Sequence, residues 1–95
     1  MAPNTAALLR EMMVEVVTNG TGTRAAIIDV TVGGKTGTAE VPEQTPTVWF
    51  TGFARDGDRR IAVAVVLPDA GIGATGGAMA APIAKAMMEA FLDLR

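Results

Sequence analysis

Residues 47–67 constrain the fold most, because they contain two predicted strands joined by a short turn. In residues 47–54 the side chains alternate, with Trp49, Thr51 and Phe53 on one side and Val48, Phe50 and Gly52 on the other. Residues 55–58 read Arg-Asp-Gly-Asp, and Asp-Gly is a strong signal for a hairpin. Residues 61–67 are apolar on both faces, which is typical of a strand with a layer on each side of its sheet. The sequence therefore predicts an antiparallel pair of strands in the core.

A glycine-rich segment before this pair is predicted as a third strand, over residues 29–40. Gly33, Gly34 and Gly37 fall within it, and glycine inside a strand lowers stability. Such a glycine often marks a place where a ligand or another backbone comes close. The two prolines of residues 41–46 predict a loop between this strand and the next.

One predicted helix precedes the strands and another follows them. Residues 5–18 carry an apolar stripe at helical spacing, formed by Leu8, Leu9, Met12, Met13, Val16 and Val17. Asn4 or Thr5 is its predicted N-cap, and Gly20 is predicted to end it in a left-handed conformation. The last helix has Pro82 in its first turn or at a kink, and its predicted inward stripe is Ile83, Met87, Ala90, Phe91 and Leu94.

These elements predict the α+β class: a three-stranded antiparallel sheet flanked by N- and C-terminal helices. Residues 25–28 fit either a short strand or an extended approach to the sheet. The 95 residues fit one small domain or one lobe of a larger domain.

Three residue types that carry much of enzyme chemistry are absent, since the sequence contains no Cys, no His and no Ser. Zinc sites, thiol catalysis and a histidine base are excluded, and we expect no metal and no cofactor. A serine nucleophile would have to come from another polypeptide or another segment. The net charge of −2, without a basic stripe, argues against nucleic acid as a partner. No apolar run is long enough to span a bilayer, and no secretory signal is visible.

Two glycine motifs resemble nucleotide-binding loops, and both are rejected. Gly34-Lys35-Thr36 copies the end of a P-loop, but the motif needs a glycine where the chain has Asp29. Residues 71–76 fit G-x-G-x-x-G, yet no second parallel strand follows the last helix. A flexible connecting loop is the favoured interpretation of residues 71–77.

Residues 35–38, Lys-Thr-Gly-Thr, are the segment that most resembles a site. Lys35 offers a positive charge, and the hydroxyls of Thr36 and Thr38 can donate hydrogen bonds to a carboxylate. Gly37 removes a side chain that would keep a substrate off the backbone. The N–H groups of an edge strand can also stabilise an oxyanion or pair with an extended peptide.

The same segment has a purely structural interpretation, in which Lys35 protects an edge strand from aggregation and the glycines allow twist. From the three letters K-T-G alone, the two interpretations have about equal weight.

The residues around K-T-G resemble a known family, the class B (monofunctional) penicillin-binding proteins, and among these the actinobacterial peptidoglycan transpeptidases. K-T-G is the third motif of penicillin-recognising serine acyltransferases, beside S-x-x-K and S-x-N. Five segments carry the resemblance in the family's order: residues 20–23, 33–40, 49–54, 61–66 and 76–83.

The resemblance implies that residues 1–95 are the C-terminal segment of a transpeptidase domain, without its S-x-x-K and S-x-N portions. The three strands would belong to the five-stranded sheet of the penicillin-binding-protein and serine β-lactamase-like fold. Lys35 would organise the nucleophile region. Thr36, Gly37 and Thr38 would bind substrate, and the Thr38 N–H would be one oxyanion donor.

The resemblance also implies partners and a location. The complete domain would bind peptidoglycan stem peptides and β-lactams at the extracytoplasmic face of the bacterial cell membrane. The strand at residues 61–67 would be exposed, and would pair with the rest of the domain or with a second copy. The alternative hypothesis is a non-catalytic module that binds peptides or carboxylates along the Lys35 edge strand.

Overall fold

The computed structural model describes residues 1–92, which form two helices and three strands. In chain order the elements are helix α1 (Pro3–Asn19), a 3-10 turn (Thr23–Ala25), strands β1 (Thr31–Ala39), β2 (Thr47–Asp56) and β3 (Arg59–Leu67), a π-helical turn (Gly76–Ala80) and helix α2 (Ala81–Leu92). The predicted α+β class is confirmed. The segment left open at residues 25–28 is the end of the 3-10 turn and an irregular approach to β1.

The sheet has the order β1-β2-β3, and both strand pairs are antiparallel. Gly57 turns the predicted hairpin between β2 and β3 with a φ of 62°. β1 and β3 are the two edges of the sheet within residues 1–92. The predicted exposure of the β3 edge is therefore seen in this part of the chain.

Helix α2 packs on one face of the sheet and closes the main core. Phe50, Val63 and Val65 face it from the strands, and Ala84 and Met88 face them from the helix, with Met88 and Phe50 both fully buried. The small side chain of Ala84 allows the helix to approach the sheet closely.

The predicted inward stripe of the last helix is wrong. Ile83, Met87 and Phe91 are each about two-fifths exposed, Ala90 is exposed, and Leu94 lies outside the described residues. The buried positions lie one residue further on, which turns the helix by about 100°. Both faces are apolar, so the spacing did not distinguish them, and the smaller side chains face the sheet.

The ends of α1 also differ from prediction. Ala2 is the N-cap, without a side-chain hydrogen bond, because Pro3 with its preset φ begins the helix. Gly20 has a φ of −107° and is not left-handed. The N–H groups of Gly20 and Gly22 both donate to the Val16 carbonyl at 3.0 Å, which ends the helix.

The other face of the sheet is only partly covered within residues 1–92. Val17 is the buried residue of the α1 stripe, whereas Leu8, Leu9 and Met12 are exposed. On β3, Val66 is 59% exposed on the face opposite to α2. In the described part of the chain, no element covers this face of β3, where the sequence predicted a second layer.

Aromatic rings of β2 explain why β1 contains three glycines. Gly37 lies opposite Trp49 in the register, and a Cβ at Gly37 would overlap the indole ring. Phe53 and Phe50 lie in the same way against Gly33 and Gly34. The rings occupy the volume that side chains of β1 would otherwise fill, as aromatic residues do beside strand glycines.

Candidate functional site

The alternation of β1 divides the predicted site residues between two faces of the sheet. Lys35 and Gly37 share a face with their partners Thr51 and Trp49, whereas Thr36 and Thr38 point to the opposite face. The structure therefore brings the two threonines together and places the lysine across the strand from them.

Thr36 and Thr38 line a cavity of ≈ 420 Å³ beside β1. The cavity is bounded by Gly20, Thr21, Thr23, Arg24, Thr36, Thr38, Thr75, Gly76, Gly77 and Ala78. Its walls come from the segment after α1, from β1 and from the π-helical turn, so three parts of the chain build it. We call it the threonine cavity.

Thr36 forms the inner wall of the threonine cavity. Its side chain is 7% exposed, and its hydroxyl lies 2.5 Å from the hydroxyl of Thr21. A hydroxyl can donate one hydrogen bond and accept two. If Thr21 donates to Thr36, the proton of Thr36 is free for a ligand oxygen. Thr38, one step along the same face, is exposed.

Gly76 and Gly77 bring the opposite wall close to the backbones of β1 and β2 and to the segment after α1. A Cβ at Gly76 would overlap the Trp49 carbonyl, and one at Gly77 would overlap the carbonyl of Thr21. Thr75 caps the turn, because its hydroxyl accepts the Ala78 N–H at 3.1 Å. These contacts explain why residues 76 and 77 are glycines, which the sequence pattern had indicated only as parts of a flexible loop.

Arg24 stands on the rim of the threonine cavity. Its guanidinium donates to the carbonyl of Ala78 at 3.4 Å, which is a long hydrogen bond. The side chain is exposed, but its backbone belongs to the 3-10 turn around the buried Ala25. The backbone of Arg24 is therefore held by the turn, while its guanidinium is exposed and makes this one long hydrogen bond.

Lys35 lies on the other face of β1, where its side chain is exposed. Its ammonium donates to the carbonyl of Thr36 at 2.8 Å, so the lysine folds back on its own strand. The ammonium is thus held at the backbone of β1, and Lys35 does not line the threonine cavity.

Asp69 connects the β1–β2 loop to the segment that follows β3 through hydrogen bonds. Its carboxylate accepts the backbone N–H of Thr45 at 3.0 Å and the Thr45 hydroxyl at 2.5 Å. These hydrogen bonds, the side-chain one first, hold the pKa of Asp69 below its ordinary value. The Thr45 hydroxyl in turn accepts the N–H of Gly71 at 2.8 Å, which joins the β1–β2 loop to the segment before the π-helical turn.

A second, larger cavity lies elsewhere and contains none of the predicted site residues. It measures ≈ 830 Å³ and lies between α1 and the hairpin end of the sheet, lined in part by Arg10, Glu11, Val14, Arg55 and Arg60.

Among residues 1–92 no group of His, Cys, Asp and Glu side chains could hold a metal ion. Neither helix in that part of the chain is long and apolar enough to cross a membrane.

Sequence reasoning did not assign Arg24 or Thr75 to the site. Arg24 lies in the turn shortly before β1, Thr75 follows β3, and no local pattern distinguishes either from surface residues. Thr21 lies in a segment that resembled the family, but its hydrogen bond to Thr36 depends on the folded chain.

Residues 1–89 match the family described as the penicillin binding protein transpeptidase domain, and the chain belongs to this family. The predicted resemblance to class B penicillin-binding proteins with actinobacterial relatives is thereby confirmed.

Individual relatives agree with this membership. The chain is 44% identical to the peptidoglycan D,D-transpeptidase PbpA of Mycolicibacterium smegmatis, over 97% of the chain and 20% of that protein. Penicillin-binding protein A of Mycobacterium tuberculosis, solved as an imipenem acyl-enzyme complex, is 38% identical with a TM-score of 0.74, covering 97% of this chain and 20% of that one. A D,D-transpeptidase domain from Eggerthella lenta is 42% identical with a TM-score of 0.71, over 92% of this chain and 20% of that one. The chain thus spans about a fifth of the length of the relatives it matches.

Proposed function

We propose that residues 1–95 are the C-terminal segment of the catalytic domain of a peptidoglycan D,D-transpeptidase. The reaction would pass through a serine acyl-enzyme, in which the serine oxygen attacks a peptide carbonyl and the terminal residue leaves as an amine. The 95 residues contain no serine, so the nucleophile would come from a segment outside them. The observation that carries the proposal is the Lys35–Thr38 edge strand with a hydroxyl-lined cavity against it.

Each residue of the edge strand has a role in this proposal. The hydroxyls of Thr36 and Thr38 bind the carboxylate of the substrate, since both line the threonine cavity. The backbone N–H of Thr38 donates to the oxyanion, and the second donor is the N–H of the nucleophilic serine. Lys35 supplies positive charge near the nucleophile. Gly37 has no side chain, so the substrate can approach the backbone of the strand.

The proposal extends to β-lactams and to location. Penicillin-binding protein A of Mycobacterium tuberculosis has been solved as an imipenem acyl-enzyme complex. We propose that the complete domain containing this segment is acylated in the same way. Its substrate, the stem peptide of peptidoglycan, places the enzyme at the extracytoplasmic face of the cell membrane.

The test uses the complete domain, obtained by including the source gene upstream of Met1. We expect S-x-x-K and S-x-N motifs in that upstream sequence, and covalent labelling of the expressed domain by a fluorescent penicillin. Lys35→Ala should slow labelling by about 10²–10³-fold, as loss of one preorganised electrostatic group does. Lys85→Ala removes the same charge from helix α2 and should leave labelling unchanged.

Two results would contradict the proposal. One is an upstream sequence without either motif. The other is a complete domain that unfolds cooperatively yet takes up no label.

A further inference from the structure

We propose that Arg24 is a second carboxylate-binding residue of this transpeptidase, and that it sets the preference for ligands carrying a free carboxylate. The inference rests on the proposed function, since it concerns the carboxylate that Thr36 and Thr38 hold. The K-T-G motif does not include this residue, which lies in the 3-10 turn before β1 and lines the threonine cavity with Thr36 and Thr38.

The first argument is the charge of the threonine cavity. Among the described residues, those that line it include no carboxylate, and Arg24 supplies their formal charge. The hydroxyls of Thr36 and Thr38 are neutral donors, and a hydrogen bond from a charged donor to a carboxylate is about twice as strong as one from a neutral donor. The guanidinium of Arg24 is therefore expected to contribute more binding free energy to an anion in this cavity than either threonine hydroxyl does.

The second argument is the position of the other cation of the site. Lys35 points to the opposite face of β1, and its ammonium is engaged by the Thr36 carbonyl at 2.8 Å. That carbonyl belongs to the backbone of β1, and Lys35 is not among the residues that line the threonine cavity. Arg24 is therefore the cation that lines the threonine cavity itself.

The third argument is the geometry of Arg24 itself. Its base is fixed, because the Ala25 N–H donates to Gly22 at 2.9 Å and the Ala26 N–H donates to Thr23 at 3.2 Å. Its tip makes the long 3.4 Å hydrogen bond to Ala78. A guanidinium has five N–H donors in a planar fork that matches a carboxylate. One long bond leaves a pair of donors to bind the two oxygens of a ligand.

The experiment compares a charged and a neutral ligand in the complete domain. Acylation rates are measured with benzylpenicillin and with its methyl ester, which lacks the negative charge. We expect Arg24→Gln to slow acylation by the free acid about 10- to 100-fold, the usual effect of losing a charged hydrogen bond, and to leave the ester unchanged. Arg24→Lys should recover part of the loss, because it keeps the charge without the bidentate fork.

The matched control is Arg55→Gln, which makes the same charge change at the hairpin end of the sheet, beside the other cavity. It should affect neither ligand. Equal slowing of both ligands by Arg24→Gln would show a structural role and overturn the inference, as would no slowing at all. A wild-type domain that neither ligand acylates would contradict the proposed function itself, and with it the role of Arg24.

Discussion

The guanidinium of Arg59 lies over the ring of Phe91, with its central carbon 5.2 Å from the ring centroid. The same guanidinium donates to the main-chain carbonyls of Phe91 and Leu92. Arg59 begins β3, and the two carbonyls belong to the last turn of α2. One side chain thus fastens the C-terminal end of the helix to the hairpin end of the sheet.

Arg59→Gln is expected to destabilise the chain by about 1–2 kcal/mol. The substitution removes an exposed cation–π contact, and a positive charge that suits the negative end of the helix dipole. The free energy of unfolding from urea titration measures the effect. Arg60→Gln is the control, because its side chain lines the larger cavity near α1. An equal loss in both variants would contradict a specific role of Arg59.

Gly37→Ala is expected to lower the free energy of unfolding by about 1–3 kcal/mol, because the added methyl group overpacks a filled space. The indole of Trp49 occupies the position that this Cβ would take. The double variant Gly37→Ala, Trp49→Leu should lose less stability than the two single variants together, since a smaller side chain makes room. Strict additivity of the two losses would contradict this packing.

Asp69 is expected to make stability depend on pH in the acid range. Hydrogen bonds from Thr45 lower the pKa of Asp69 in the folded chain. A carboxylate with a lowered folded pKa stabilises the chain above its unfolded pKa, near 3.8, and this contribution is lost as pH falls through the folded pKa. The advantage of wild type over Asp69→Asn should therefore be constant above about pH 5 and disappear in stronger acid.

Asn suits this test because Asp69 has a positive φ of 50°, a conformation that Asn also tolerates. Chemical denaturation at a series of pH values gives the difference in the free energy of unfolding. Asp58→Asn, in the hairpin turn, is the charge-matched control. A wild-type advantage that persists below the folded pKa would show that the carboxylate charge is not responsible.

The 95-residue chain alone is expected to form no covalent adduct with penicillin. It contains no serine, and an oxyanion donor with a carboxylate site cannot replace the nucleophile of an acyl-enzyme reaction. Incubation with a fluorescent penicillin and a denaturing gel measures this. A labelled band that survives denaturation would contradict it.

The β3 edge is expected to make the isolated chain associate. Residues 61–67 have no strand partner other than β2 within residues 1–92, and an apolar edge recruits another strand. Sedimentation at tens of micromolar, roughly where exposed edges associate, should show dimers or larger species. Val66→Lys should reduce association, whereas Ile28→Lys, at a residue 90% exposed and outside the sheet, should not. A monomeric wild-type chain would contradict the prediction.

The elements of the sheet were predictable because their signals are local. The Asp56-Gly57 pair identified the hairpin, and alternation identified β2. The face of α2 was not predictable in the same way. Ile83 and Met87 have the same helical spacing as Ala84 and Met88, so the sequence pattern alone does not show which pair is buried against the sheet.

The site was predictable to the extent that it lies in one strand. Residues Lys35 to Thr38 were predicted from the sequence as candidate site residues, and the period of a strand places Thr36 and Thr38 on one face. Arg24 and Thr75 reach the same cavity from distant parts of the chain, and no pattern within either segment indicates that they meet. The reason for the β1 glycines was likewise hidden, because the rings that require them lie on the next strand.

The indole of Trp49, lying across Gly37, gives the molecule an optical reporter at its candidate site. It is the single tryptophan of the chain, so the emission of this fluorophore belongs to one position. The ring is half-buried, which leaves its environment sensitive to anything that settles on the edge strand or displaces it. Binding on the Gly37 face of residues 35–38 is therefore expected to change the intrinsic fluorescence, without a label and without turnover.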